Sequence, residues 1–168
     1  MNENYPTQYG VMSRESLIHQ TPDKNTVVIL IHGNIATDLD EPKTFNRVIP
    51  LLSQYLDYKL FAIDDVYRSD LNHNDIKQYQ PYFITDKTID EIDIFLQKHH
   101  NKKVIISCVA GISRSGAVGW YLDQIQGRTK KWTYKDYGDG VQRPSSKYLF
   151  PHRDMYLKFQ QKLTHLIL

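Results

Sequence analysis

The chain has 168 residues, 40% of them hydrophobic, and its 21 basic and 19 acidic side chains leave a formal net charge of +2. That apolar content supports a core and excludes a wholly disordered chain. The near balance of charge excludes a bulk-cationic nucleic-acid binder while leaving room for a local basic pocket.

The length predicts one domain over residues 1–168. Cys108 is the single cysteine; no disulfide can form within the chain, and a lone thiol fits a reducing, cytoplasmic compartment. Met1 to Lys24 lacks the apolar core of a signal peptide. No apolar run approaches the ~20 residues that cross a bilayer, so no membrane span is expected.

In chain order, residues 1–25 show no sustained period and read as an irregular arm or a short edge strand. Val27 to Ile31 is a β-branched run ending at His32-Gly33, the pattern of a strand buried on both faces. Thr44 to Leu56 carries Phe45, Val48, Leu51, Leu52 and Tyr55 at helical spacing, with Pro50 inside it to kink or split the helix. Leu60 to Ile63 is a second short strand, running into Asp64-Asp65. Ser69 to Pro81 is polar and reads as an exposed loop or weak helical turn. Asp86 to His99 predicts a helix with Ile89, Ile92, Phe95 and Leu96 inward; Thr85, Asp86 or Thr88 can cap it, Glu91 completing a capping box with Thr88.

Lys103 to Ser107 is the third strand, residues 109–113 a turn, and Ser115 to Gln126 a helix closed by Gly127. Residues 128–148 are aromatic and basic without a period. A last helix over His152 to Leu166 places Tyr156, Phe159, Leu163 and Leu166 on its inner stripe. Strands alternating with helices predict an α/β fold with a central, mainly parallel sheet of four or five strands, covered on both faces.

The chemistry concentrates in Val104-Ile-Ile-Ser-Cys108-Val-Ala-Gly-Ile-Ser-Arg114-Ser-Gly116. A buried strand delivers a cysteine into a turn, and an arginine opens a helix with five residues between them. Backbone N–H groups of Val109, Ala110, Gly111, Ile112, Ser113 and Arg114 can curl around an anion at a helix start. Arg114 can offer its planar fork to two phosphate oxygens. The same field favours the thiolate of Cys108, an in-line nucleophile toward a bound phosphoryl group.

This string resembles the active-site signature of the cysteine-dependent protein tyrosine phosphatases, nearest the dual-specificity branch, and the likeness extends more loosely over residues 58–127. The resemblance implies a phosphatase fold without metal or organic cofactor. It implies that Cys108 forms a cysteinyl-phosphate, that Arg114 holds the equatorial oxygens, and that the Ser115 hydroxyl steadies the departing thiolate. It further implies an aspartic acid after an upstream strand as general acid and base. Asp65 aligns best, with Asp64, Asp70 and Asp75 as competitors because the stretch from Asp65 to Cys108 is longer than the family's. One departure is Ser107, where the family carries a histidine. The implied partner is a phosphorylated substrate, foremost a phosphoprotein, with phosphoinositides or RNA phosphates also open.

Other readings compete. A pseudophosphatase would hold phosphate without turning it over. A serine hydrolase would use Ser113 in an elbow-like Gly111-x-Ser113-x-Ser115, with Asp136, Asp139, Asp154, His152 and His165 as partners, but Ser115 stands where a second glycine belongs. His99-His100 at a helix end fits a solvated C-terminus better than a metal site.

Overall fold

The central run of the chain behaves as its composition demands. In the computed structural model, which describes residues 1–33, 41–64, 83–111, 113–128, 134–136, 142–144 and 152–167, strand β2 (Thr26–His32) is buried along its length but for half-buried His32. Val27, Ile29 and Ile31 face one side of a sheet, and Val28 and Leu30 the other. Each such side chain contributes about 1.5–3 kcal/mol on burial, which fixes β2 in the middle.

β1 (Tyr9–Ser13), β3 (Asp57–Ala62) and β4 (Lys103–Cys108) complete a four-stranded sheet in the order β1-β4-β2-β3, parallel at every pairing. Helix α1 (Arg14–Ile18) and α2 (Glu41–Leu52) belong to one face, where Leu17, Val48 and Leu52 meet Val28, Leu30 and Ile105. Helices α3 (Asp86–Lys98), α4 (Arg114–Ile125) and α5 (Arg153–Ile167) cover the other. A separate sheet is formed by β5 (Tyr134–Asp136) and β6 (Gln142–Pro144), an antiparallel pair. The fold is the α/β class expected, with a fully parallel central sheet.

Several local expectations shift. Residues 1–25 supply the edge strand β1 and also a five-residue helix, α1, capped by Ser13, whose Oγ accepts the Ser16 N–H at 3.0 Å. Helix α2 runs through Pro50 and stops two residues later; a proline in the last turn removes one N–H without leaving a long helix to break. On α3 the cap is Thr85, accepting from the Thr88 N–H at 3.2 Å. On α5 the inward residues are Met155 and Phe159, with Leu163 packed alongside; Leu166 is exposed, and half-buried Tyr156 lies against Trp120, ring centres 4.6 Å apart. The Ser69–Pro81 stretch lies outside the described residues, as does most of 128–148.

Because the four strands of the central sheet run one way, their carboxyl ends share one edge. The chain leaves β2 toward β3 and returns through α3 to β4 on β2's other side. The crevice beyond the carboxyl ends of β2 and β4 is where open parallel sheets bind ligands.

Candidate active site

Cys108 is the last residue of β4 and only 2% exposed. Its side chain belongs to the face covered by α3, α4 and α5. The chain then turns sharply: Val109 is half-buried, Ala110 exposed, and Gly111 sits at φ +69°. A Cβ on Gly111 would lie 2.2 Å from the Ser13 nitrogen and 2.4 Å from the Met12 carbonyl carbon. Backbone rests on backbone here, so only glycine fits, for its conformation and for its lack of a side chain. The turn is also tied at its start, where the Arg14 N–H donates to the Val109 carbonyl at 3.2 Å.

Ser113 precedes α4 in helical conformation and gives no side-chain cap. Its carbonyl accepts both the Ala117 N–H at 3.1 Å and the His152 N–H at 2.9 Å, joining the turn to the start of α5. Arg114, 4% exposed, sends Nη1 to the Ile63 carbonyl at 2.9 Å, across the end of β3. Ser115 is fully buried, and its Oγ lies 3.0 Å from Cys108 Sγ. The first turns of α4 carry buried Gly116, Ala117, Val118 and Gly119, small side chains that let the helix start lie close over the end of β4.

The structure therefore sets Ser115 against Cys108 at the carboxyl edge of the sheet, with Val109, Ala110, Gly111 and Ser113 forming the described part of the turn and the Arg114 guanidinium reaching to the end of β3. Asp64, half-buried, directly follows Ile63, whose carbonyl receives Arg114. Asp65, Asp70, Asp75 and Ile112 lie outside the described residues. Chemically, the arrangement sets a buried thiol beside a hydroxyl that can donate to it, at a helix N-terminus whose dipole favours negative charge.

One neighbour, Arg14, escaped the sequence reading, and His152, offered there only as a hydrolase partner and as the start of the last helix, has another part. Arg14 is fully buried at the β1–α1 corner. His152, also buried, accepts the Met155 N–H on Nδ1 at 3.4 Å and so serves the start of α5. Each is a single residue at an element junction, without a periodic signal. The expectation of a solvated His99 is corrected: its ring is 10% exposed, packs on Phe95 and meets Asp57 Oδ2 at 2.9 Å. Among the described residues, no group of three or more His, Cys, Asp or Glu side chains could hold a metal ion, and no helix is long and apolar enough to cross a membrane.

No protein-family model matches the chain, and no curated protein sequence matches it. Among solved structures, one described as Tk-PTP in the active form aligns over 92% of this chain and 77% of its own, at 16% identity and a TM-score of 0.40. At that level of superposition the likeness decides nothing about chemistry.

Proposed function

We propose that the chain is a phosphate-monoester hydrolase working through a cysteinyl-phosphate, of the cysteine-dependent, dual-specificity-like kind that the Cys108–Ser115 string resembles. The observation that carries the reading is the contact of Cys108 Sγ with Ser115 Oγ at 3.0 Å, where the buried β4 gives way to the start of α4. In the first step the Cys108 thiolate attacks phosphorus; the S–P bond forms as the P–O bond to the leaving group breaks. Asp65, with Asp64 as its competitor, gives its proton to the leaving oxygen. Arg114 holds equatorial oxygens with its fork. In the second step the same aspartate takes a proton from water, whose oxygen attacks phosphorus and breaks the S–P bond. The Ser115 hydroxyl, already within reach, donates to the sulfur as its negative charge returns.

This chemistry needs neither metal nor cofactor, because the thiolate is the nucleophile and the arginine and helix dipole neutralise the phosphoryl charge. We place it in the cytoplasm, within one domain, on phosphoprotein substrates. The test is hydrolysis of an aryl phosphate without added metal. Wild type should turn over, and Cys108→Ser should lose activity by about 10³-fold or more, since the attacking group is gone. A wild type that binds tungstate but releases no phosphate would make the chain a phosphate-binding module instead.

A further inference from the structure

Arg14 is the largest fully buried side chain among the described residues, and a buried guanidinium is costly unless its donors are met. Nη2 donates to the Ile31 carbonyl and Nη1 to Thr44 Oγ1, both at 3.3 Å, and the charge lies 5.6 Å from the centre of the Phe45 ring. Ser13, just before it, pairs with Cys108; Ile31 follows Leu30, which pairs with Ser107. The side chain therefore spans from the edge strand β1 to β2, past the end of β4 at the level of Cys108. Its own N–H holds the Val109 carbonyl, and the two residues before it are the ones against which Gly111 is seated.

We infer that Arg14 is a positioning residue for the phosphate-binding turn: it pins the corner between β1 and α1 to β2 and α2, and that corner holds Val109 and seats Gly111. The inference rests on the phosphatase reading of the same turn. A methionine would fill similar volume without the two-point bonding. A lysine would keep the charge, but one ammonium cannot reproduce a planar fork aimed at both a carbonyl and a hydroxyl. Residues that only stabilise the fold lower the melting temperature; a residue that shapes the turn also changes how the folded protein holds an oxyanion.

The experiment measures tungstate affinity by calorimetry and aryl phosphate hydrolysis for wild type, Arg14→Met, Arg14→Lys and Thr44→Val, well below each melting temperature. Displacing a preorganised site by a fraction of an ångström predicts tungstate binding weakened by about tenfold or more in Arg14→Met, with kcat/KM falling by about 30-fold or more. Arg14→Lys should recover part of both, and Thr44→Val should weaken binding by about threefold. A folded Arg14→Met whose binding and kcat/KM stay within about twofold of wild type overturns the inference. If Arg14→Met does not fold, Thr44→Val decides: unchanged tungstate affinity there overturns it. A wild type that neither binds tungstate nor hydrolyses the ester overturns the phosphatase reading, and this inference with it.

Discussion

Replacing Gly111 by alanine adds one methyl group at the point where the turn after β4 meets the corner between β1 and α1. The new Cβ would stand 2.2 Å from the Ser13 nitrogen, against the 3.4 Å or more of ordinary contact, so backbone must part by about 1.2 Å. At φ +69° an alanine also carries about 1–2 kcal/mol of intrinsic strain. Together with the steric clash, a loss of about 3–5 kcal/mol is expected. For a chain of this size that lowers the melting temperature by about 6–20 °C. A shift of about 1 Å beside the nucleophile should cost about 10²-fold in kcat/KM on an aryl phosphate. Gly127→Ala is the internal control, because Gly127 has φ +65° but nothing within 4 Å of an added Cβ. It should lose only the conformational share, about 1–2 kcal/mol, and keep full activity. If Gly111→Ala matches Gly127→Ala in both stability and kcat/KM, the turn does not rest on residues 12 and 13, and the reasoning fails.

Asp93, buried on α3, accepts from Tyr5 Oη at 2.8 Å and Tyr121 Oη at 2.6 Å. Asp93→Ala leaves two buried hydroxyls without that acceptor and should cost about 2–5 kcal/mol in urea unfolding; a loss below about 1 kcal/mol would speak against the network. Burial, and then the hydrogen bond to Asp93, push the Tyr5 phenol up to about 12. The unfolded phenol therefore ionises first, so this stabilisation is complete below pH ~10 and drains away as the pH rises toward ~12. The urea midpoint of Tyr5→Phe should fall less steeply across that window than wild type's, and equal slopes would contradict the assignment. Burial alone would raise Asp57, but hydrogen bonds from His99, the Tyr58 N–H and Lys98 outweigh it and hold the carboxyl below its ordinary 3.8. That stabilisation is present above the ordinary value and is lost as pH falls through the folded one. In His99→Ala the Asp57 carboxyl should titrate at higher pH by carbon NMR, and an unmoved midpoint would remove His99 as the cause.

The parts of this protein that were legible in the sequence are those encoded within a few residues. The run Val27–Ile31 can only be a buried strand, and Ile89, Ile92, Phe95 and Leu96 mark a helix face that is indeed buried. Cys108 and Ser115 meet across one strand, one turn and one helix start that are contiguous in the chain, whereas the seat of Gly111 between them is built by Met12 and Ser13. What was hidden depends on partners remote in sequence. Residues 1–25 offered a short edge strand only as one of two readings, and Tyr9–Ser13 is too short and mixed to mark its place; pairing with β4 fixes it. Asp93 on α3 and His99 just after it look like solvent-facing positions, yet Tyr5 and Tyr121 draw the first inward, and Asp57 at the start of β3 meets the second. Arg14 and His152 act at junctions, where no hydropathy pattern marks them.

The arm ahead of β1 is fastened to the far end of α4. Gln126 accepts the Asn2 N–H at 2.9 Å and donates to the Asn2, Tyr5 and Pro6 carbonyls, and the Arg128 guanidinium reaches the Thr7 carbonyl. Among the described residues β1 itself pairs only with β4, its far neighbour along the chain. β1 precedes β2 and β3 in the chain but its partner β4 follows them, so β1 has no place until β4 has been made, while β2 and β3 can already pair. Such long-range closure is slow, so β1 is expected to join the central sheet after β2 and β3 have paired. Because Gly111 is seated on Met12 and Ser13, the candidate site is complete only when β1 has docked, and a partly folded state lacking β1 should not hydrolyse an aryl phosphate.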